Sequence, residues 1–295
     1  MVPAMARISA ARESALRRAE RAPKPVVRLA VTFVRELSGI ELFDRAMTLA
    51  AQAFTSIFPL LISLETFFGD GSGSVGKDLA DALSLPDGVR AALDDVLPDD
   101  TDQLAAFGAL SVLIVLVSAT SFSRALGRMY AKAWHEPPSG WLGGWRWVIV
   151  ILAICSATVT TQLLTHSARD AEEYLGALAL TFLVNTLLWT LVPRLLLVGR
   201  VSVSRLLPGA LLMGVATILL TLAGRIYLPR ALEIGQDHFG ALGVAFTLIG
   251  WLFVVGFALV VTTVLGAVFV RDEGVQGLVA GLRDRLPGRG RHPLT

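Results

Sequence analysis

Cysteine is almost absent from this chain: Cys155 stands alone among 295 residues. A single thiol closes no internal disulfide, so a disulfide framework is excluded and cysteine usage says nothing of the redox compartment. Charge is scarce as well. Asp, Glu, Lys and Arg make up 17% of the residues, against about 25% in an average soluble protein. That is too little polar side chain to cover a globule of this length. The apolar residues, 54% of the total, fall in long blocks rather than at core spacing, which excludes an ordinary soluble enzyme. Lysine is rare: of 26 Lys and Arg only Lys24, Lys77 and Lys132 are lysine. The net charge is +2 although the sequence pI is about 9.0, and no nucleic-acid partner is expected. No cleavable signal peptide is expected either, because the first 30 residues hold arginines but no apolar core of about 7–15 residues.

Long apolar runs are what the chain has in abundance, and its mean hydropathy is +0.64. A helix needs about 20 mostly apolar residues to cross the hydrocarbon core. Six stretches qualify: 47–68, 104–121, 147–164, 175–197, 206–228 and 241–270. Helix is the expected form, since open strands leave backbone groups unsatisfied in lipid. The predicted fold class is all-α, a polytopic integral membrane protein with six transmembrane helices. Basic residues support the even count. With the N-terminus in the cytoplasm, segments 1–46, 122–146, 194–205 and 271–295 hold 21 of the 26 Lys and Arg, while 69–103, 165–174 and 225–240 hold five. Cytoplasmic segments carry such an excess, so both termini are predicted inside.

The chain then divides into a basic lead-in (1–46), a membrane domain (47–270) with an acidic outer loop (69–103), and a basic tail (271–295) whose Pro, Gly and Arg predict disorder. Trp134, Trp141, Trp145 and Trp147 cluster at the inner start of the third helix, the level indoles prefer. Residues 8–38 are basic and mildly amphipathic, with Val27, Val31 and Val34 beside Arg28 and Arg35. They read as a helix on the inner leaflet or as a disordered basic segment. The outer loop carries nine aspartates from Asp70 to Asp102. Leu79 with Leu83, and Val89 with Leu93 and Val96, repeat at helical spacing, broken by Pro86 and Pro98, and predict two short amphipathic helices over the outer face. The acids either gather cations or form a solvated face.

Residues 71–78, GSGSVGKD, imitate a phosphate-binding loop. Such a loop needs Ser or Thr after the lysine to hold Mg²⁺ and a strand before it; here Asp78 follows Lys77 and an apolar helix precedes. A glycine-serine turn is the better reading. His135, His166, His238 and His292 have no Cys, His or carboxylate at metal-ligand spacing, and no Ser-His-acid set or paired carboxylate emerges. No catalytic residue, metal site or cofactor is expected, and the chain is read as a non-enzyme.

Polar groups at membrane depth are more informative, because each is costly unless paired or hydrated. Glu65 and Arg225 lie at similar predicted depth, near the outer ends of the first and fifth spans, and form a candidate ion pair or coupling site; snorkelling to the interface is the alternative. Arg124 and Arg128 share one face at the inner boundary, fit to grip a lipid phosphate or a carboxylate, or to anchor the helix. Asn185 lies mid-membrane, one turn before Trp189, a place that more often joins two helices than binds substrate. Pro59 sits inside the first span, Pro208 and Gly209 open the fifth, and Gly240 and Gly243 begin the sixth. Prolines free carbonyls and glycines let helices approach closely.

The strings LAAQAFTSIFPLLIS (49–63), SFSRALGRMY (121–130), LLPGALLMGVA (206–216), HFGALGVAFTLIGWLF (238–253) and LGAVF (265–269) resemble the BrkB/YihY (YhjD-like) family of bacterial inner-membrane envelope-integrity proteins. Order, spacing and six-helix layout match over roughly 25–275. Phe58-Pro59-Leu60, Arg124-Ala125-Leu126, Pro208-Gly209-Ala210 and Gly240-Ala241-Leu242-Gly243 carry the likeness. Many members have an acid after the late Gly-Ala, where this chain has Val268. The resemblance implies a role in envelope maintenance, with one branch tied to movement of lipids or lipid precursors. The old family label of ribonuclease BN finds no support in these residues.

The leading expectation is an inner-membrane protein that moves or handles a lipid or amphiphilic envelope precursor, with Arg124 and Arg128 engaging an anionic headgroup. An ion or small-solute transporter using Glu65, and a non-transporting scaffold of an envelope complex, are the alternatives. Membrane lipids are the expected partners, with envelope proteins or a second copy of the chain as further candidates.

Overall fold

The computed structural model describes residues 25–68, 101–137, 144–167 and 171–271. Every element among them is a helix: α1 (Pro25–Gly39), α2 (Leu42–Phe68), α3 (Thr101–Trp134), α4 (Gly144–Ser167), α5 (Ala171–Leu196), α6 (Val203–Phe239) and α7 (Ala241–Arg271). Each of the six predicted apolar stretches falls on one of α2 to α7, to within one residue. Among the described residues, three helices are long and apolar enough to cross a membrane: Glu172–Leu196, Val203–Phe239 and Ala241–Arg271.

Several helices overrun their apolar runs. α3 has 34 residues and α6 has 37, about 50–55 Å at 1.5 Å per residue, against a hydrocarbon core of about 30 Å. Segment 225–240, expected as an outer connection, is helical as far as Phe239, and segment 122–146 is helical to Trp134. Hydropathy marks where a helix becomes polar, not where it ends. Arg, Glu, Gln and Leu between Arg225 and Phe239 are good helix formers, and Pro229 lies within α6 without ending it.

Each long helix packs on the next in sequence, and α7 returns to α2, so the six close a ring; α3 also touches α5 and α7 across it. The α6–α7 contact is the most extensive. Its turn is one residue, Gly240, at φ 59° and ψ −141°, a region open essentially to glycine. Close backbone approach then runs along the seam. A Cβ at Gly243 would fall on the carbonyl of Gly235, and one at Gly266 would overlap the backbone of Gly209. Small residues serve helix contact in this way in membranes, where burial against lipid offers no hydrophobic gain.

The core sits toward one end of the ring, where α3 and α5 finish and α4 and α6 begin: Leu126, Met129, Val150, Val192, Leu196, Val260 and Val264 are fully buried there. The far end of the α6–α7 hairpin has its own small cluster around Leu232 and Val244. Leu29, Phe33 and Leu37 of α1 pack on the main core, while Val34 is 48% exposed. The helix expected in the lead-in is therefore present from Pro25, with part of its apolar face turned to the bundle. Residues 1–24, the loop 69–100 with its aspartates and glycine-rich stretch, Trp141, and the tail from Asp272 lie outside the described residues.

Among the described residues, three that are not glycine hold left-handed backbone: Glu41 (φ 59°), His135 (φ 53°) and Val198 (φ 59°). Two close helices with paired back-bonds. After α3, the His135 N–H donates to the Lys132 carbonyl (3.3 Å) and the Glu136 N–H to Ala131 (2.8 Å). After α5, Val198 donates to Leu195 (3.2 Å) and Gly199 to Arg194 (2.8 Å). Both are Schellman closures, which satisfy carbonyls otherwise orphaned at a helix end.

Candidate functional site

The end of the ring nearest α1 gathers charge. The Glu36 carboxylate of α1 lies 3.7 Å from Arg271 at the end of α7 and 3.4 Å from the His135 ring. Arg271 also donates to the Ala133 carbonyl (2.6 Å) and rests 5.9 Å over the Trp134 ring. Glu41 accepts from Lys132 at 3.1 Å, with Arg45 at 3.6 Å. The Lys132 ammonium, by hydrogen bond and charge, holds the Glu41 carboxyl below its usual range. These contacts fasten α1 and the α1–α2 turn to α3 and α7.

Just inside that end, among α3, α5, α6 and α7, lies a narrow cavity of about 10 Å³, room for about one water. Tyr130 and Trp134 line it from α3, Trp189 and Pro193 from α5, and Met213 and Thr263 from α6 and α7. None of its lining side chains is charged. Tyr130 hydrogen-bonds Thr263. The Trp189 indole N–H is buried and meets no acceptor. Pro193, lacking an N–H, gives no helical hydrogen bond to the Trp189 carbonyl four residues before it. An unmet buried donor of this kind costs about 1–3 kcal/mol.

The residues singled out on sequence are spread more widely. Arg124 and Arg128 lie one turn apart on α3; Arg124 is half-buried, with Nη2 donating to Ser121 Oγ at 3.3 Å, and Arg128 is exposed. Asn185 is buried and donates to Thr161 of α4 (3.3 Å) and to its own helix at Thr181 (3.0 Å), so it joins α4 to α5. Arg225 is exposed and sits 5.6 Å over the Tyr174 ring. α2 runs through Pro59 and Glu65, whose side chains, and with them the Glu65–Arg225 pairing, lie outside the described residues. Pro208 lies within α6, near its start at Val203. Gly209, Gly240 and Gly243 all belong to the α6–α7 seam.

Sequence reasoning missed Tyr130, Trp189, Pro193 and Thr263 as one group, and Glu36, His135 and Arg271 as another. A signal existed for the first: a Trp four residues before a Pro inside an apolar run. Nothing marked the second, because its three members are far apart in sequence. Among the described residues no His, Cys, Asp and Glu group could hold a metal ion.

Long apolar helices, glycine-seamed and closed on one another, define the class: a helical membrane protein. The model of the virulence factor BrkB family matches residues 33–280, most of the chain, and the protein belongs to that family. No curated protein and no solved structure matches it.

Proposed function

We propose that this protein spans the bacterial inner membrane six times with both termini in the cytoplasm. It serves envelope maintenance by moving or handling a lipid or amphiphilic precursor, without catalysing a reaction. One observation carries the reading: Arg124 is held half-buried on α3, one turn from the exposed Arg128. Guanidinium groups meet phosphate and carboxylate with two parallel hydrogen bonds, and the inner boundary of a membrane protein supplies such headgroups in excess.

The test is mass spectrometry of the lipids retained when the protein is extracted in native membrane patches, beside an Arg124→Gln/Arg128→Gln variant. Enrichment of one anionic or isoprenoid-linked lipid, lost in the variant, is the expected result. Matching bulk-like profiles in both samples, at equal protein abundance, would remove the role of the arginines.

A further inference from the structure

α1 sits at the margin of the bundle. No residue from Leu29 to Gly39 is fully buried, and the helix leans on α7 more than on α2, its neighbour in sequence. Its apolar contribution is one stripe, Leu29, Phe33 and Leu37, laid against the core. Beside that stripe stands Glu36, whose carboxylate is shared between two basic groups of different kind. Arg271 lies 3.7 Å away and is anchored independently of α1, through the Ala133 carbonyl and the Trp134 ring. An arginine keeps its charge at every working pH. His135 lies 3.4 Å away, beyond an ordinary N–H···O bond of about 2.7–3.2 Å. Charge rather than hydrogen bonding therefore joins it to Glu36. An unperturbed histidine gains that charge below about pH 6.5, where carboxylates are still ionised. Arg271 thus pulls on α1 constantly, and His135 pulls according to pH.

The other charged groups around His135 are constant too, since Lys, Arg and Glu side chains keep their charges between about pH 5 and 8. Lys132, one turn earlier on α3, is committed to Glu41 at 3.1 Å, with Arg45 on the same carboxylate at 3.6 Å. Glu136 follows directly, and Arg35 adjoins Glu36 on α1. From the α5–α6 turn Arg200 donates to the Pro137 carbonyl (2.8 Å). His135 also holds a left-handed position that favours glycine or asparagine. The turn itself has no need of an imidazole.

We propose that α1 is a releasable strap across this end of the ring, docked more firmly when His135 is protonated and detached more often when it is neutral. The His135–Glu36 attraction is complete in mild acid and is lost as the pH rises past the histidine range. Release uncovers the apolar stripe of α1 and frees Arg271, whose platform Trp134 also lines the interior cavity. This device stands apart from lipid handling by Arg124 and Arg128.

In the full chain with Cys155 replaced by Ala, purified in detergent, spin labels would be placed at Ala30→Cys of α1 and Ser202→Cys of the α5–α6 turn. Both positions are exposed. Pulsed electron double resonance then separates docked from detached populations by distance. The detached-to-docked ratio should rise about threefold from about pH 5.5 to about pH 8, the worth of one part-exposed ion pair. Arg271→Gln removes the constant pull, so the detached fraction should grow while the pH response persists. His135→Asn suits the left-handed turn and carries no charge; its ratio should stay at the alkaline wild-type value at both pH values. A ratio that moves with pH in neither wild type nor Arg271→Gln overturns the strap. A response retained in His135→Asn overturns the role of the histidine. The wild-type pair of measurements decides alone, should the variants fail to fold.

Discussion

At Val198 a β-branched side chain occupies the left-handed position that closes α5. Such backbone costs an L-residue about 1–2 kcal/mol, and Val198, 42% exposed, has little burial to offset it. Asparagine tolerates the conformation. Val198→Asn should stabilise the protein by about 1 kcal/mol, raising the thermal midpoint in detergent by about 2 °C; Val198→Gly should gain less, because glycine loses more freedom on folding. An unchanged midpoint for both would mean that the turn relaxes without the valine.

Glu41 supports a prediction in pH. Lys132 depresses its carboxyl in the fold, so the pair contributes fully above the ordinary Glu range, about pH 4.3. The contribution is lost as the pH falls through the depressed value. Glu41→Gln removes it without changing the backbone demand at the left-handed position. The variant should unfold below wild type at pH 7, and the gap between their midpoints should narrow once the pH drops below about 4.3 and close as it falls through the depressed value. A constant gap would assign the effect to something other than ionisation.

Among the elements, α6 and α7 depend most on what they lack. Gly243→Ala and Gly266→Ala place a methyl against the backbone of the facing helix, and each should cost about 1–3 kcal/mol through overpacking. Gly250→Ala, with nothing within 4 Å, should be neutral or gain up to about 1 kcal/mol in helix propensity. Thermal midpoints of the three variants check this, and equal losses would dissolve the seam as an explanation. Apolar patterning reveals such helices because lipid selects for long unbroken runs. It cannot reveal their ends, as Arg225 to Phe239 illustrates: polarity changes there while helix propensity does not. The glycines could be seen to permit close approach, but not which helix approaches. Trp189 and Thr263 line one cavity only because the ring sets α5 and α7 on either side of α6, a relation with no trace in local sequence. Glu36, His135 and Arg271 are hidden for the same reason.

For the whole molecule the testable matter is which ends face which compartment. With Cys155 replaced by Ala, single cysteines at Ser202, in the α5–α6 turn, and at Phe239, beside the α6–α7 turn, occupy exposed sites at opposite ends of α6. An impermeant maleimide should label Phe239→Cys in intact cells and Ser202→Cys only in inverted vesicles. Labelling of both from one side would end the six-span topology.

The return of α7 to α2 has a further consequence, in the order of synthesis. Helices leave the ribosome one at a time, yet the face that α1 and α2 offer to α7 has no partner until α7 is made. Ala46 waits for Gly256, Phe43 for Phe253 and Phe257, and Glu36 for Arg271. For most of its birth the protein is thus an open arc rather than a ring, its first helix bordered on one side by lipid or by a chaperone. Closure of the ring waits for α7, and a chain halted before Ala241 would carry its missing seam as a visible mark for quality-control proteases.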